Sequence, residues 1–279
     1  MRRFTAFKLA SLSLLVVPLS AYAADLPVKA PPPPVVTVFN WTGFYVGANV
    51  GGKWDDQNSP ITLGAIPGVT DPRFTTTNTL PFGGKNSSVI GGGQVGYNWQ
   101  FGSWVIGVEG DADAQSLRHR TTVLTTGTPP GFVAGDTFDS KSDWQASARL
   151  RVGYAWGPWL AYVTGGAAFT NVRLSTNFVP GANPVAFPAA AASDSQTLVG
   201  GTVGGGVEYM LSRNLSIGVE GRYSDYGTQN YGLGSVAIFN TASGLPFSTV
   251  TSRADLNTWE VTGRLNWHFD WTSPIVAKY

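Results

Sequence analysis

The stretch Asp143-Trp-Gln-Ala-Ser-Ala-Arg-Leu-Arg-Val-Gly-Tyr-Ala-Trp156 decides the fold. Trp144, Ala146, Ala148, Leu150, Val152, Tyr154 and Trp156 are apolar, whereas Gln145, Ser147, Arg149, Arg151 and Gly153 between them are polar, charged or tiny. Strict period two gives a β-strand with one oily and one wet face. Aromatics bound the segment at both ends, and variants of it recur along the chain. That pattern marks a closed barrel whose outer face touches lipid.

Working outward, eight such strands are expected: Trp41 to Lys53, Ser88 to Gln100, Trp104 to Ser116, Asp143 to Trp156, Trp159 to Val172, Gln196 to Met210, Leu215 to Tyr226 and Asp255 to Trp271. Each is long enough for a tilted membrane strand, which needs about 9–11 residues. Phe101-Gly102-Ser103, Gly157-Pro158 and Leu211 to Asn214 read as tight turns. Long Gly-, Pro-, Thr-, Ser- and Asn-rich connections are expected around 54–87, 118–142, 173–195 and 227–254. Short connections on one rim and long ones on the other are how transmembrane barrels are built. The fold class is therefore all-β, an eight-stranded antiparallel up-and-down transmembrane β-barrel. Both termini are expected in the periplasm, with four external loops.

The bulk composition agrees. Charged residues are 13% of the 279, aromatics are 13%, and there are 35 glycines and no cysteine. Mean hydropathy is near zero, as expected when apolar residues are spread in alternation instead of being gathered in helices. Without cysteine there is no disulfide framework and no thiol chemistry.

Arg2, Arg3 and Lys8, the short apolar run Leu9 to Leu19, and Ala21-Tyr22-Ala23 form a secretory signal peptide over residues 1–23. Its apolar core is too short to span a bilayer as a helix. Cleavage leaves 15 Lys+Arg against 17 Asp+Glu, a balance that points to no nucleic acid. Residues 24–40, with Pro31 to Pro34, read as a proline-rich periplasmic leader. The barrel is expected over 41–271, with a short extension over 272–279.

The tryptophans suggest two girdles at headgroup level. Trp41, Trp99, Trp104, Trp156, Trp159, Trp267 and Trp271 fall at short-turn ends or chain ends, and Trp144 and Trp259 toward the long connections.

The opposite parity sends Glu109, Asp111, Asp113, Arg149, Arg151, Glu208, Glu220, Arg222, Glu260 and Arg264 inward. These ten read either as a selectivity filter or proton path, or as an ion-pair network that sets register and seals the lumen. An eight-stranded barrel has an interior just wide enough for side chains to fill, and a buried charge needs a partner. Width therefore favours the sealed network.

Little else carries chemistry. His119, at the end of the third strand or the start of a loop, is a candidate axial haem ligand, with Arg118 and Arg120 beside it for propionates; a solvated loop histidine is the plainer reading. His268 points inward near the periplasmic rim. Gly91 to Gly93 and Gly204 to Gly206 lie mid-strand with no Lys-Ser/Thr after them, so they are not phosphate loops. No catalytic site and no metal site is expected.

The chain resembles the small alphaproteobacterial outer-membrane β-barrel proteins, a branch of the OmpA-like barrel group often filed as porin family proteins. The resemblance rests on Ala24-Asp25-Leu26-Pro27, Trp41-Thr42-Gly43-Phe44-Tyr45-Val46-Gly47, Gly91 to Trp99, Arg149 to Ala155, Ala161 to Phe169 and Gly204 to Tyr209. It covers essentially the whole mature chain. It implies an eight-stranded barrel in the outer membrane of a Gram-negative bacterium, in contact with lipid and lipopolysaccharide. It also implies delivery by periplasmic chaperones and the barrel insertion machinery, which reads a terminal aromatic at Phe269, Trp271 or Tyr279. Some members bind haem. The peptidoglycan-binding domain of a true OmpA chain is not expected here. The leading expectation is a non-enzymatic, sealed structural and surface protein. The alternatives are a narrow porin or haem-uptake component, and a lipid-modifying barrel enzyme.

Overall fold

The computed structural model describes residues 39–65, 76–126, 132–179, 190–237 and 247–269. The expected signal peptide, most of the proline-rich leader, Trp271 and the 272–279 extension lie outside the described residues.

The strands are β1 (Gly43–Asn58), β2 (Ile61–Leu63), β3 (Asn78–Leu80), β4 (Gly83–Phe101), β5 (Trp104–Thr122), β6 (Thr137–Trp156), β7 (Trp159–Phe178), β8 (Ala190–Ser212), β9 (Leu215–Ala237) and β10 (Phe247–His268). The eight long strands pair antiparallel with their neighbours in the order β1-β4-β5-β6-β7-β8-β9-β10. β10 returns to β1, from Tyr45↔His268 to Asn58↔Asp255, and closes the ring. The fold is an eight-stranded up-and-down barrel.

β2 and β3 belong to the first hairpin. β2 continues the path of β1 past Ser59-Pro60 and pairs with Val250–Ser252 of β10, while β3 pairs with β2 and leads through Pro81-Phe82 into β4. Proline has no N–H for a ladder, so each arm of the hairpin is interrupted at its proline. The Ser59 N–H donates to the Phe82 carbonyl at 2.8 Å and holds the two interruptions together.

The turns at Gly102-Ser103 and Gly157-Pro158 stand where the sequence predicts them, with Gly102 and Gly157 at φ of 63° and 57°, a conformation that suits glycine. The strands, however, run far past their expected far ends. On β5, Trp104, Ile106, Val108, Ala112 and Ala114 face outward around Gly110; then Ser116, Arg118 and Arg120 continue the same face. On β10, Trp259, Val261, Leu265, Trp267 and Phe269 form the apolar outward run, preceded by Thr251, Arg253, Asp255 and Asn257. The apolar band therefore has the height of a membrane strand, and above it the strands continue as a polar-surfaced head.

Most of the expected long connections are strand. Through 118–122, 137–142, 173–178, 190–195, 227–237 and 247–254 the backbone stays in the sheet. The physical reason is an inversion of chemistry: on most strands the parity carries through unchanged, and it slips by one residue only on β6, between Ser142 and Gln145, and on β9, between Tyr226 and Tyr231. Within the band the inward face is charged and the outward face apolar. In the head, Val172, Leu174, Phe178, Val250, Ala254 and Leu256 turn inward and polar residues outward. A search for oily-out, wet-in alternation stops where that reversal begins.

The head is also organised differently from the band. The β4–β5 ladder ends at Ile90↔Gln115, although both strands go on. The β8–β9 ladder ends at Gly201↔Asp225, again with both strands continuing. A register shift lies at each point of parting, at Ala114/Leu117 of β5 and opposite Asp255/Asn257 around Gly227 of β9. Such bulges bend a strand and increase its twist. Above the bulges the barrel thus opens into two four-path sheets, one of β5 to β8 and the other of β9, β10, β1 with β2, and β4 with β3. Among the described residues the seams are crossed only by bonds that use a side chain: Ser88 Oγ accepts from the Ser116 N–H at 3.1 Å, Asn86 Nδ2 donates to the Arg118 carbonyl at 2.6 Å, and Gln196 Nε2 to the Asn230 carbonyl at 3.2 Å. A shared apolar core, including Ile61, Phe82, Leu256, Phe138, Leu174 and Leu198, packs between the sheets. The head is a small sandwich growing out of a barrel.

Candidate functional site

The lumen is layered. Nearest the short turns, Trp41, Val105, Ala155, Leu160, Tyr162 and Met210 form an apolar plug. Trp41 is fully buried and meets the His268 ring edge-on at 5.6 Å. This corrects the expectation for Trp41. It precedes β1 instead of opening it, and its ring folds into the barrel mouth instead of standing in an outer girdle. Burying the largest apolar side chain there shields the open end of the lumen from water.

Above the plug lie the ten inward charges. Arg149 contacts Glu109 (2.5 Å), Asp111 (3.0 Å) and Glu220. Arg222 contacts Asp111 (2.8 Å), Asp113 (3.5 Å) and Glu260. Arg264 bridges Glu109 and Glu220, and Arg151 pairs with Glu208. Complementary signs meet because inward parity on adjacent strands brings them level: Glu109 stands opposite Arg149 and Glu260 opposite Arg222 in register. All ten are buried.

Neutral groups complete the layer. Tyr45 Oη donates to Glu109 Oε2 at 2.6 Å, and Tyr162 Oη to Glu220 Oε2 at 2.9 Å. Arg151 lies over the Tyr162 ring, its Cζ 3.5 Å from the centroid, a cation–π contact in a desolvated site. Gln145 Nε2 donates to Asp113 Oδ2 (3.1 Å) and Glu260 Oε2 (2.9 Å). Lys53, which sequence reasoning passed over as a strand end, is buried, donates to Gln145 and adds a fifth cation facing Glu260 and Asp113. Its parity with Tyr45 and Asn49 was the available signal. The cavity lined by Asp111, Asp113, Arg149, Glu220, Arg222 and Arg264 measures about 10 Å³, room for about one water molecule.

His119 is likewise corrected. It lies inside β5, buried, with Nε2 2.6 Å from Asp55 Oδ2 on β1. The strand continues through it, so its parity turns the ring inward and away from any loop. Arg118 and Arg120 face outward and both engage Asp139, at 2.6 and 2.9 Å. The three therefore do not converge on one ligand. His268 is buried, with Nε2 2.9 Å from Ser216 Oγ. Among the described residues no cluster of three or more His, Asp or Glu is placed to hold a metal ion.

The remaining described tryptophans of the expected girdles, Trp99, Trp104, Trp144, Trp156, Trp159, Trp259 and Trp267, are all exposed on the outward face. Trp104 packs against Tyr154, Trp159 against Tyr209 and Trp259 against Tyr223. They stand at the two margins of the apolar band. Trp54, also exposed, joins the margin nearer the head.

A closed antiparallel ring with an apolar coat and a salt-bridged interior defines a transmembrane β-barrel protein. The chain matches the outer membrane protein beta-barrel domain over residues 9–269. It belongs to that family and is an outer-membrane β-barrel protein. It is similar to the 25 kDa outer-membrane immunogenic protein of Brucella abortus, at 28% identity over 86% of this chain and 93% of the relative. It is also similar to the 22 kDa outer membrane protein of Rhizobium leguminosarum, at 30% identity over 72% of each chain. Among solved structures, the outer membrane protein OprG from Pseudomonas aeruginosa aligns with 83% of this chain and 99% of its own, at 16% identity and a TM-score of 0.46.

Proposed function

We propose that this protein is a sealed, non-enzymatic barrel that supports the envelope and holds a rigid two-sheet head at the cell surface. In this reading the short turns and both termini face the periplasm, and the head faces outward. The observation that carries the proposal is the filled lumen: an apolar plug, a salt-bridged layer with about 10 Å³ to spare, and an apolar core in the head. A narrow porin needs a continuous polar path, and both apolar layers interrupt one. A buried ion network of this density also fixes register, because a slip of one residue would turn the lumen charges of the slipped strand into lipid. The test is single-channel recording on the full chain in planar bilayers. The expected result is no steady conductance; large, stable open steps would overturn the proposal. Protease access to the head on intact cells tests the orientation, and digestion of the head only after the outer membrane is permeabilised would reverse it.

A further inference from the structure

Arg118, Lys141 and Arg173 stand side by side on β5, β6 and β7, register partners in a row on the outward face. All three are exposed. Like charges directly opposite one another across strands are destabilising, and neighbouring strands lie only about 4.8 Å apart, so three cations share about 10 Å of surface. Nearby acids do not balance them. Asp139 is shared by Arg118 and Arg120, and Asp143 is held by Lys141 at 2.7 Å. No ion pair engages Arg173 among the described residues. This face thus carries four cations against two carboxylates. The outward face of the other sheet has no such excess, with Lys85 and Arg253 against Asp56, Asp225 and Asp255.

Height on the barrel matters as much as charge. The row begins where the apolar band ends, just beyond Trp144 and Phe169, which stand in the last outward-facing apolar positions of β6 and β7. Next to the row, farther from the band, lies a concavity of about 380 Å³ lined by Arg120, Asp139, Ser175, Asn177 and Ser193. Its guanidinium, carboxylate, hydroxyl and amide groups suit a polyhydroxylated ring. Acyl chains against the band, phosphate at the row and sugar in the concavity describe one molecule.

We infer that this face binds the phosphorylated sugar headgroup of an outer-leaflet glycolipid, with Arg118, Lys141 and Arg173 holding its phosphate groups. The inference rests on the outward orientation proposed above. It explains why a like-charge row is kept on the sheet: bound phosphate turns the repulsion into charge-assisted hydrogen bonding.

The test is binding of purified lipopolysaccharide to the full chain in nanodiscs. The test variant combines Arg118→Ser, Lys141→Ser and Arg173→Ser, and the control combines Lys85→Ser and Arg253→Ser. The triple variant should bind at least about tenfold more weakly while keeping the heat-modifiable mobility of a folded barrel, and the control should bind as the parent does. Enzymatic dephosphorylation of the lipopolysaccharide should reproduce the loss. Unchanged binding by the triple variant, an equal loss in the control, or full binding of dephosphorylated lipid would overturn the inference. So would equally effective competition by inorganic phosphate or phosphatidylglycerol vesicles. Conductance does not enter this readout, so an open pore would defeat the sealed-barrel proposal without touching this one. Protease access on whole cells scores the orientation separately.

Discussion

Tyr162 lies across Gly206, its register partner on the neighbouring strand, so closely that a Cβ on Gly206 would stand 2.5 Å from the tyrosine hydroxyl. The bare glycine is what lets the ring fold over β8, accept Arg151 on its face and donate to Glu220. Tyr45 and Gly96 repeat the arrangement between β1 and β4. The two tyrosines thus roof the charge layer from two sides, each seated on a position with no side chain.

Gly206→Ala should therefore lower stability by about 1–3 kcal/mol, the usual range for overpacking, because the methyl group meets the Tyr162 ring and, at 2.6 Å, the Val219 carbonyl oxygen. Urea unfolding of the protein folded into lipid vesicles measures this. An unchanged midpoint would show that both the ring and the neighbouring strand have room to move.

Removing one arginine from the network should be more damaging than its loss of contacts suggests. Arg149→Met leaves Glu109, Asp111 and Glu220 short of a cation, and breaking a buried pair costs about 3–5 kcal/mol. The double variant Arg149→Met with Glu220→Gln should recover part of that loss in the same unfolding experiment. Additive losses would mean that the two residues are not coupled.

Trp41→Ala should destabilise by about 3–5 kcal/mol, the range for truncating a buried aromatic. Trp99→Ala, on the lipid-facing surface, should have a smaller effect. Equal losses at the two sites would place Trp41 on the surface instead of in the barrel mouth.

Gly227, at φ of 61° in the β9 bulge, should tolerate substitution poorly. Gly227→Val forces a branched side chain into the left-handed region, at about 1–2 kcal/mol. Because the bulge marks the start of a seam, the head should loosen first. Limited proteolysis should cut the head faster while the membrane barrel keeps its heat-modifiable mobility. Loss of both together would mean that head and barrel unfold as one unit.

Much of this was legible from parity. One alternation rule was enough to bring ten charged residues on five strands into one layer, since period two leaves no choice of face once a strand is recognised. Parity failed where its chemistry reversed, and where β6 and β9 each slip by one residue at a bulge. Leu174, Phe178 and Val250 face inward like Arg149, but an apolar inward residue beside a polar outward one reads as connecting sequence when a lipid-facing strand is sought. His119 was displaced by the same reversal, and Lys53 was lost because the first strand was ended at it. Trp41 lies outside any strand, so alternation says nothing about its direction. The two seams depend on bulges at Gln115-Ser116 and Tyr226-Gly227, and a single extra residue in a ladder leaves almost no mark on composition.

The packed interior has a consequence for the whole cell. On the sealed-barrel proposal, ions find no unbroken water column through such a cylinder, and the number of copies is uncoupled from leakage. An envelope crowded with these proteins would keep the permeability set by its lipids and its true pores, and abundance could rise with no toll on the gradients behind it.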